Sequence, residues 1–139
     1  MTSGSGNLEP AARFRVTRAA HRAENAEDYV EAVSQLIERQ GEARVKDLAR
    51  MMGVSHVTVS RTLARLAKAG LVVAARHQPV ELTPQGRKLA EDAARRHDIV
   101  LRFLLSLGVP AKHAELDAEG IEHHVSETTI RAMERMLTK

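Results

Sequence analysis

Hydrophobic residues recur at intervals of three and four positions along most of the chain, which is the spacing of amphipathic α-helices. A first helix is predicted from about Asn25 to Gln40, and Gly41 ends it. Its apolar face consists of Tyr29, Val33, Leu36 and Ile37. The residues before it show no sustained apolar period, and residues 1–23 are therefore predicted to form a flexible basic arm.

Two short helices around a tight turn are predicted between Val45 and Leu71. Gly53 permits the turn, and Ser55 suits the N-cap position of the second helix, which ends at Gly70. The inward faces of the two helices are formed by Leu48, Ala49, Met52, Val59, Leu63 and Leu66. This arrangement is typical of a helix-turn-helix.

The pattern changes after Gly70 to two short apolar runs, 71–75 and 80–82. Four residues, Arg76 to Pro79, separate them, so a β-hairpin is predicted. A hairpin that directly follows a helix-turn-helix is a wing. Residues 24–82 are accordingly predicted to be a winged helix-turn-helix DNA-binding domain.

The rest of the chain is predicted to be helical, so the fold class is mainly α. Thr83 is a good N-cap with Pro84 at the first helical position, and this helix extends to Leu107, before Gly108. A last helix runs from about Ser126 to Leu137. Between residues 99 and 107 the apolar surface exceeds what one helix can bury alone, which favours a dimer. Residues 83–139 are predicted to be a second, α-helical domain.

Composition limits the classes of function. A chain of 139 residues forms one or two small domains. The absence of cysteine excludes disulfides, thiolate metal sites and thiol nucleophiles. We find no secretory signal and no apolar run of membrane length, so the cytoplasm is the expected location and no membrane partner is expected.

Charge is unevenly distributed. Between Ala43 and Val80 there are seven basic residues and one acid, whereas between Pro110 and Glu127 there are five acids and one lysine. The first segment suits a polyanion and the second suits cations.

The second helix of the predicted helix-turn-helix presents small polar groups followed by arginines, which favours contact with DNA over a merely solvated face. An arginine at the tip of the wing would lie beside phosphates, although an exposed loop residue without a partner is an equal alternative. The candidate DNA-binding residues are Ser55, His56, Val57, Thr58, Ser60, Arg61, Arg65 and Arg76.

Acidic residues and histidines suggest a cation site. If the segment from Asp117 to His124 is helical, Glu119, Glu122 and His123 share one face, where their charges repel unless a cation is bound. A solvated acidic face with a chance histidine pair is the alternative.

The sequence resembles the diphtheria-toxin-repressor family of metal-dependent repressors, and more closely its manganese transport regulator branch. The resemblance covers roughly residues 27–133. It rests on the winged module, on Leu82-Thr83-Pro84-Gln85-Gly86, on Arg96-His97 and on Glu119-Gly120-Ile121-Glu122-His123-His124. It implies a metal site formed by Asp28, Glu31, His97, Glu119, Glu122 and His123.

The resemblance also implies the metal, because a softer-metal branch has methionine and cysteine where this chain has Asp28 and Glu119. Carboxylates and imidazoles without sulfur suit Mn²⁺, with Fe²⁺ as the alternative ion. Four carboxylates are neutralised by two divalent ions, so two Mn²⁺ per subunit are expected. The expected function is a Mn²⁺-responsive regulator that binds double-stranded operator DNA as a homodimer and represses metal-uptake genes.

Two other classes of protein were weighed. A winged-helix repressor of the multiple-antibiotic-resistance type would bind an organic ligand and would need no cluster of acids and histidines. A small metallohydrolase would explain the ligands but not the winged module, and no general base or nucleophile accompanies them. We therefore do not expect an enzyme.

Overall fold

The computed structural model describes the backbone of residues 10–138 and the side chains of Ala11 and of residues 25–138. Within that part the chain is mainly helical, with one small antiparallel sheet. The elements are α1 (Pro10–Gln40), α2 (Val45–Met52), α3 (His56–Lys68), β1 (Val72–Val73), β2 (Glu81–Leu82), α4 (Pro84–Ser106), α5 (Ala111–Ile121) and α6 (Glu127–Leu137).

Helix α1 is longer than predicted, because its backbone is already helical at Pro10. The predicted start near Asn25 is wrong, and residues 10–23 of the predicted flexible arm have helical backbone. The sequence there is rich in alanine and arginine, which have high helix propensity without producing an apolar period. Residues 1–9 of the predicted arm lie outside the described residues.

The helix-turn-helix is confirmed. Gly53 adopts φ 70° in the turn between α2 and α3, a left-handed conformation that glycine accepts readily. The hydroxyl of Ser55 accepts a hydrogen bond from the backbone N–H of Thr58 at 3.1 Å and so caps α3. Val59 and Leu63 are buried, as predicted from their spacing.

The wing is present, but its strands are shorter than predicted. Val72 pairs with Leu82 and Val73 with Glu81, so the connecting loop is longer than four residues. Val80, expected in the second strand, instead forms a bridge with Ala43, whose carbonyl accepts the Val80 N–H at 2.7 Å. The preference of Val80 for that partner shortens the hairpin ladder.

The junction between wing and α4 is tightly packed. Thr83 caps α4 by accepting a hydrogen bond from the Gly86 N–H at 3.0 Å, and its hydroxyl donates to the Gly70 carbonyl at 2.6 Å. Gly86 itself is buried against the backbone of Leu71. Helix α4 then continues unbroken to Ser106, as predicted.

Two hydrophobic cores lie at the two ends of α4. The first contains Ala90 of α4 together with residues of α1, α2, α3 and the wing. The second contains Ile99 and Val100 of α4 with Ala118 of α5 and Ile130 of α6. Because α4 contributes to both cores, it connects the DNA-binding domain to the helices that follow it.

Helix α5 ends at Ile121, so only Glu119 of the three residues predicted to share a helical face lies within it. Glu122 is the C-cap with helical backbone angles, its N–H donates to the Ala118 carbonyl at 3.0 Å, and His123 lies in the turn that follows. Helix α6 follows with Ser126 as its N-cap, close to the predicted boundary.

Replacing Gly86 with alanine should destabilise the fold by roughly 1–3 kcal/mol, because a Cβ at this position would lie 2.0 Å from the Leu71 carbonyl oxygen. Gly120→Ala is the matched control, since no atom lies within 4 Å of a Cβ there and a helical alanine is favoured by about 0.4–1 kcal/mol. Denaturant unfolding of both metal-free variants measures the difference. Equal stabilities would contradict the packing described for the junction.

Candidate metal centre and nucleic-acid interface

Three separate elements bring acidic and imidazole side chains together at the boundary between the two cores. Helix α1 contributes Asp28 and Glu31, which flank the buried core residues Tyr29 and Val30. Helix α4 contributes His97. The end of α5 and the following turn contribute Glu119, Glu122 and His123.

His97 faces the carboxylates of α5. Its Nδ1 lies 3.1 Å from Glu122 Oε1 and 3.8 Å from Glu119 Oε1. One donor atom from each of these three residues lies within 4.8 Å of the others, a separation that one cation could span. The opposite nitrogen, Nε2, lies 3.6 Å from Oε2 of the exposed Glu115.

His123 joins this group to α1. Its Nε2 lies 3.0 Å from Asp28 Oδ1 and 3.8 Å from Glu122 Oε1, so Glu122 stands between the two imidazoles. Its Nδ1 lies 2.8 Å from Glu27 Oε2. Glu27 was not among the predicted site residues, although it is four residues before Glu31 and therefore on the same side of α1.

Glu122 is the most deeply buried carboxylate of the group. The residue is 1% exposed, and its Oε2 has no hydrogen-bond partner among the described residues. An unpaired buried carboxylate oxygen is costly unless something compensates it. Surrounded by further carboxylate oxygens and imidazole nitrogens, it fits a divalent cation such as Mn²⁺.

Arg96 holds the turn that carries two of these side chains. Its guanidinium donates to the carbonyl of Glu122, from Nε at 3.2 Å, and to the carbonyl of Val125, from Nη2 at 2.7 Å. Carbonyls at the end of a helix lack partners within it, and a cation suits the negative end of the helix dipole. The next residue of α4 is His97. The same turn of α4 therefore supplies His97 and, through Arg96, holds the backbone that carries Glu122 and His123.

The electrostatics show that the acids are crowded. Burial, followed by the charges of Glu122, Asp28 and Glu119, raises the pKa of Glu31 to about 7. Burial also raises the pKa of Glu122, despite its hydrogen bond to His97. Both groups are therefore held partly towards their neutral forms, as expected of carboxylates that repel one another.

The pKa values of the two histidines are also raised, but for an imidazole a raised pKa favours the charged form. Burial alone would lower the pKa of His123, but hydrogen bonds to Asp28 and Glu27 outweigh it and raise the pKa to about 10. Burial also lowers the pKa of His97, but the hydrogen bond and charge of Glu122 outweigh it most, and the pKa is raised. Positive charge is thus favoured at this place in the fold.

All six predicted metal ligands lie in this neighbourhood. Hydrogen bonds and close ion pairs link Asp28, His97, Glu119, Glu122 and His123, and Glu31 interacts through its charge with four of them, all except His97. The sequence missed Glu27, Glu115 and Arg96 as neighbours of the group. The spacing of Glu27 from Glu31 was a usable signal, whereas no sequence pattern indicated the contacts of Arg96.

The predicted DNA-binding residues form an exposed surface on α3 and the wing. Each of Ser55, His56, Val57, Thr58, Ser60, Arg61, Arg65 and Arg76 is exposed. A groove between α3 and the wing is lined partly by basic groups that include Arg44, Lys46 and Arg76. Arg65 also donates a hydrogen bond to Asn25 of α1, which places it at the edge of this surface.

Exposed apolar side chains occur in the second domain. Of residues 99–107, where the dimer contact is predicted, Leu105 and Leu107 are exposed, whereas Ile99 and Val100 are buried. Leu107, Leu116 and Met136 are between 59% and 67% exposed.

None of the described helices is both long and apolar enough to cross a membrane.

Two family models match this chain. The N-terminal DNA-binding domain of iron-dependent repressors matches residues 21–79. The metal-binding and dimerisation domain of iron-dependent repressors matches residues 83–139.

Individual relatives agree. The chain is 50% identical to the transcriptional regulator MntR of Escherichia coli O6:H1 over 91% of this chain and 81% of that protein. It is 38% identical to the HTH-type transcriptional regulator MntR of Geobacillus kaustophilus, over 72% of this chain and 71% of the other. A solved manganese-dependent transcriptional repressor complex with manganese is 34% identical with a TM-score of 0.73, over 81% of this chain. The chain spans about half, 52%, of the length of that structure.

The Glu122→Gln variant tests the buried carboxylate. Because the folded state raises the pKa of this group, its ionised form costs stability above that pKa, and neutral Gln removes the cost. Without metal at pH 8, the variant should unfold at or above the wild-type temperature. Mn²⁺ at 100 times Kd should stabilise the wild type by about 2.7 kcal/mol but leave the variant unchanged.

Thermal unfolding with and without Mn²⁺ measures both effects. Glu127→Gln is the control, since the ion pairs that Glu127 forms within the described residues, with Arg95 and Arg131, lie on the surface, and this variant should keep the full Mn²⁺ response. A wild-type Mn²⁺ response in Glu122→Gln would contradict the assignment.

Proposed function

Because this chain belongs to the diphtheria-toxin-repressor family of iron-dependent repressors, in its manganese regulator branch, we propose that it is a Mn²⁺-responsive transcriptional repressor. In this proposal the protein is cytoplasmic, binds operator DNA as a homodimer and represses metal-uptake genes. Its role is regulatory, with no catalytic turnover. Residues 24–82 serve as the DNA-binding domain and residues 83–139 as the metal-binding and dimerisation domain.

The observation that carries the proposal is the convergence of ligands from two domains. Asp28 and Glu31 lie on α1, whose buried residues belong to the core of the DNA-binding domain. Glu122 and His123 follow α5, whose Ala118 belongs to the second core. A metal-responsive regulator needs such a link, because a metal whose ligands all lie in one domain could not alter the position of that domain relative to the other.

We propose that Asp28, Glu31, His97, Glu119, Glu122 and His123 hold the metal. A divalent cation bound there supplies positive charge that offsets the repulsion among the carboxylates. Without that compensation, the repulsion of Glu31 by Glu122 and Glu119 favours separation of α1 from the end of α5. The two recognition helices of a dimer then sample orientations that do not match successive major grooves, which are about 34 Å apart.

The required free energy is within reach. Raising the DNA-competent population from about 1% to 99% needs roughly 5.5 kcal/mol of differential binding. Binding that is stronger in the competent arrangement can provide this free energy if the ligands come from both domains, as in the proposed ligand set.

The choice of ion follows from the donor set. Oxygen and imidazole donors without thiolates suit Mn²⁺, with Fe²⁺ as the alternative ion, and selection against Zn²⁺ must come from geometry and coordination number. Four carboxylates favour two ions per subunit on grounds of charge.

The exposed apolar residues of the second domain support the homodimer. Leu107, Leu116 and Met136 are large apolar side chains that stay mostly exposed in one chain. Their burial against a second copy would be favourable at roughly 25 cal/mol per Å². A repressor that responds to an organic ligand would leave the convergence of carboxylates without a purpose, and we do not favour it.

His97→Ala should abolish the dependence of DNA binding on Mn²⁺, because His97 connects α4 to the carboxylates of α5. The probe is a duplex enriched from a random library with Mn²⁺-loaded wild type, and anisotropy measures its binding across a series of divalent ions. His113→Ala, which removes an exposed imidazole from α5, should behave as wild type. Wild-type DNA binding that ignores chelators would instead favour the organic-ligand repressor.

Arg61→Ala should weaken DNA binding without altering Mn²⁺ affinity, because Arg61 is exposed on α3 and remote from the acidic group in sequence. Loss of one phosphate contact should reduce the slope of log K against log salt by about 0.9. Arg135→Ala on α6 provides the same change of charge away from the DNA surface. Equal salt slopes for both variants would argue against contact between Arg61 and DNA.

A further inference from the structure

A carboxylate that has no assigned role lies at the outer side of His123, which is the side of the ring facing away from the proposed metal ligands. Glu27 Oε2 lies 2.8 Å from His123 Nδ1, within hydrogen-bond distance. The side chain of His123 is 2% exposed and that of Glu27 is 16% exposed, so water competes little with this contact.

The two nitrogens of His123 face different surroundings. Nε2 faces Asp28 and Glu122, two of the proposed metal ligands, at 3.0 and 3.8 Å. Nδ1 faces Glu27, which is on the other side of the ring. An imidazole binds a metal through a nitrogen that carries no proton, and the partner of the second nitrogen decides which one that is.

We propose that Glu27 is a positioning residue that accepts the Nδ1–H of His123 and so leaves Nε2 available to a divalent cation. This inference rests on the proposed function, and it concerns a residue outside the ligand set. Glu27 and Asp28 are neighbours in sequence but have different tasks, because α1 directs them to opposite nitrogens of one ring.

His97 provides a useful comparison. Its outer nitrogen, Nε2, also faces a carboxylate, that of Glu115. The distance is 3.6 Å and the Glu115 side chain is 60% exposed, so this pair lies beyond hydrogen-bond distance and in contact with water. Of these two outer carboxylates, Glu27 alone is placed to fix a ring.

Calorimetric titration with Mn²⁺ tests the effect on affinity. Glu27→Ala should weaken Mn²⁺ binding about 10- to 100-fold, the usual loss when such an outer partner is removed. Glu27→Gln keeps a carbonyl acceptor and should recover much of the loss. Glu38→Ala removes a carboxylate from an exposed position of the same helix and should bind Mn²⁺ as the wild type does.

Magnetic resonance tests the position of the proton. With ¹⁵N-labelled histidine and ¹¹³Cd²⁺ as a diamagnetic probe, His123 of the wild type should show coupling of Nε2 to cadmium and a proton retained on Nδ1. His123→Gln identifies its signals among the seven histidines. In Glu27→Ala the Nδ1 proton should exchange faster with water, a change that a merely structural role for Glu27 would not produce.

Two negative results have different meanings. Cadmium coupling to Nδ1, or unchanged Mn²⁺ affinity in a folded Glu27→Ala protein, would overturn the role of Glu27 and leave the proposed function standing. Failure of the wild type to bind Mn²⁺ would overturn the proposed function, and this inference with it.

Discussion

The structure brings together carboxylates that repel one another and that positive charge among them stabilises. Glu122 is buried, one of its oxygens has no hydrogen-bond partner among the described residues, and the pKa of Glu31 is raised to about 7 by burial and by neighbouring acids. In the absence of metal, protonated imidazoles supply part of the missing charge, since the pKa of His123 is raised to about 10. In the proposed function, a metal ion would replace protons at a place where the fold already favours positive charge.

Much of the fold could be predicted from the sequence, because it depends on local rules. The helix-turn-helix follows from apolar spacing, from Gly53 and from the Ser55 cap, and the start of α4 follows from Thr83 and Pro84. Errors arose where tertiary contacts decide. Val80 pairs with Ala43 instead of extending the hairpin. The early start of α1 has a local cause, because the alanine- and arginine-rich residues before its apolar period have high helix propensity.

The site was predictable as a set of residue types but not as an arrangement. Spacing on α1 places Glu27 and Asp28 equally well beside Glu31, so the sequence alone could not assign them separate neighbours. The end of α5 at Ile121 was also hidden, because Arg96, distant in sequence, holds the carbonyls of the following turn. Contacts of that kind depend on packing between elements, which periodicity does not report.

The connection between the acidic group and the DNA surface follows from α1. This helix carries Asp28 and Glu31 on one side, and its Tyr29 and Val33 share a core with Val59 and Leu63 of α3. Arg65 of α3 also donates a hydrogen bond to Asn25 of α1. Because well-packed cores move as units, a shift of α1 relative to the end of α5 must carry α3 with it. The acids of α1 can therefore influence DNA binding without touching DNA.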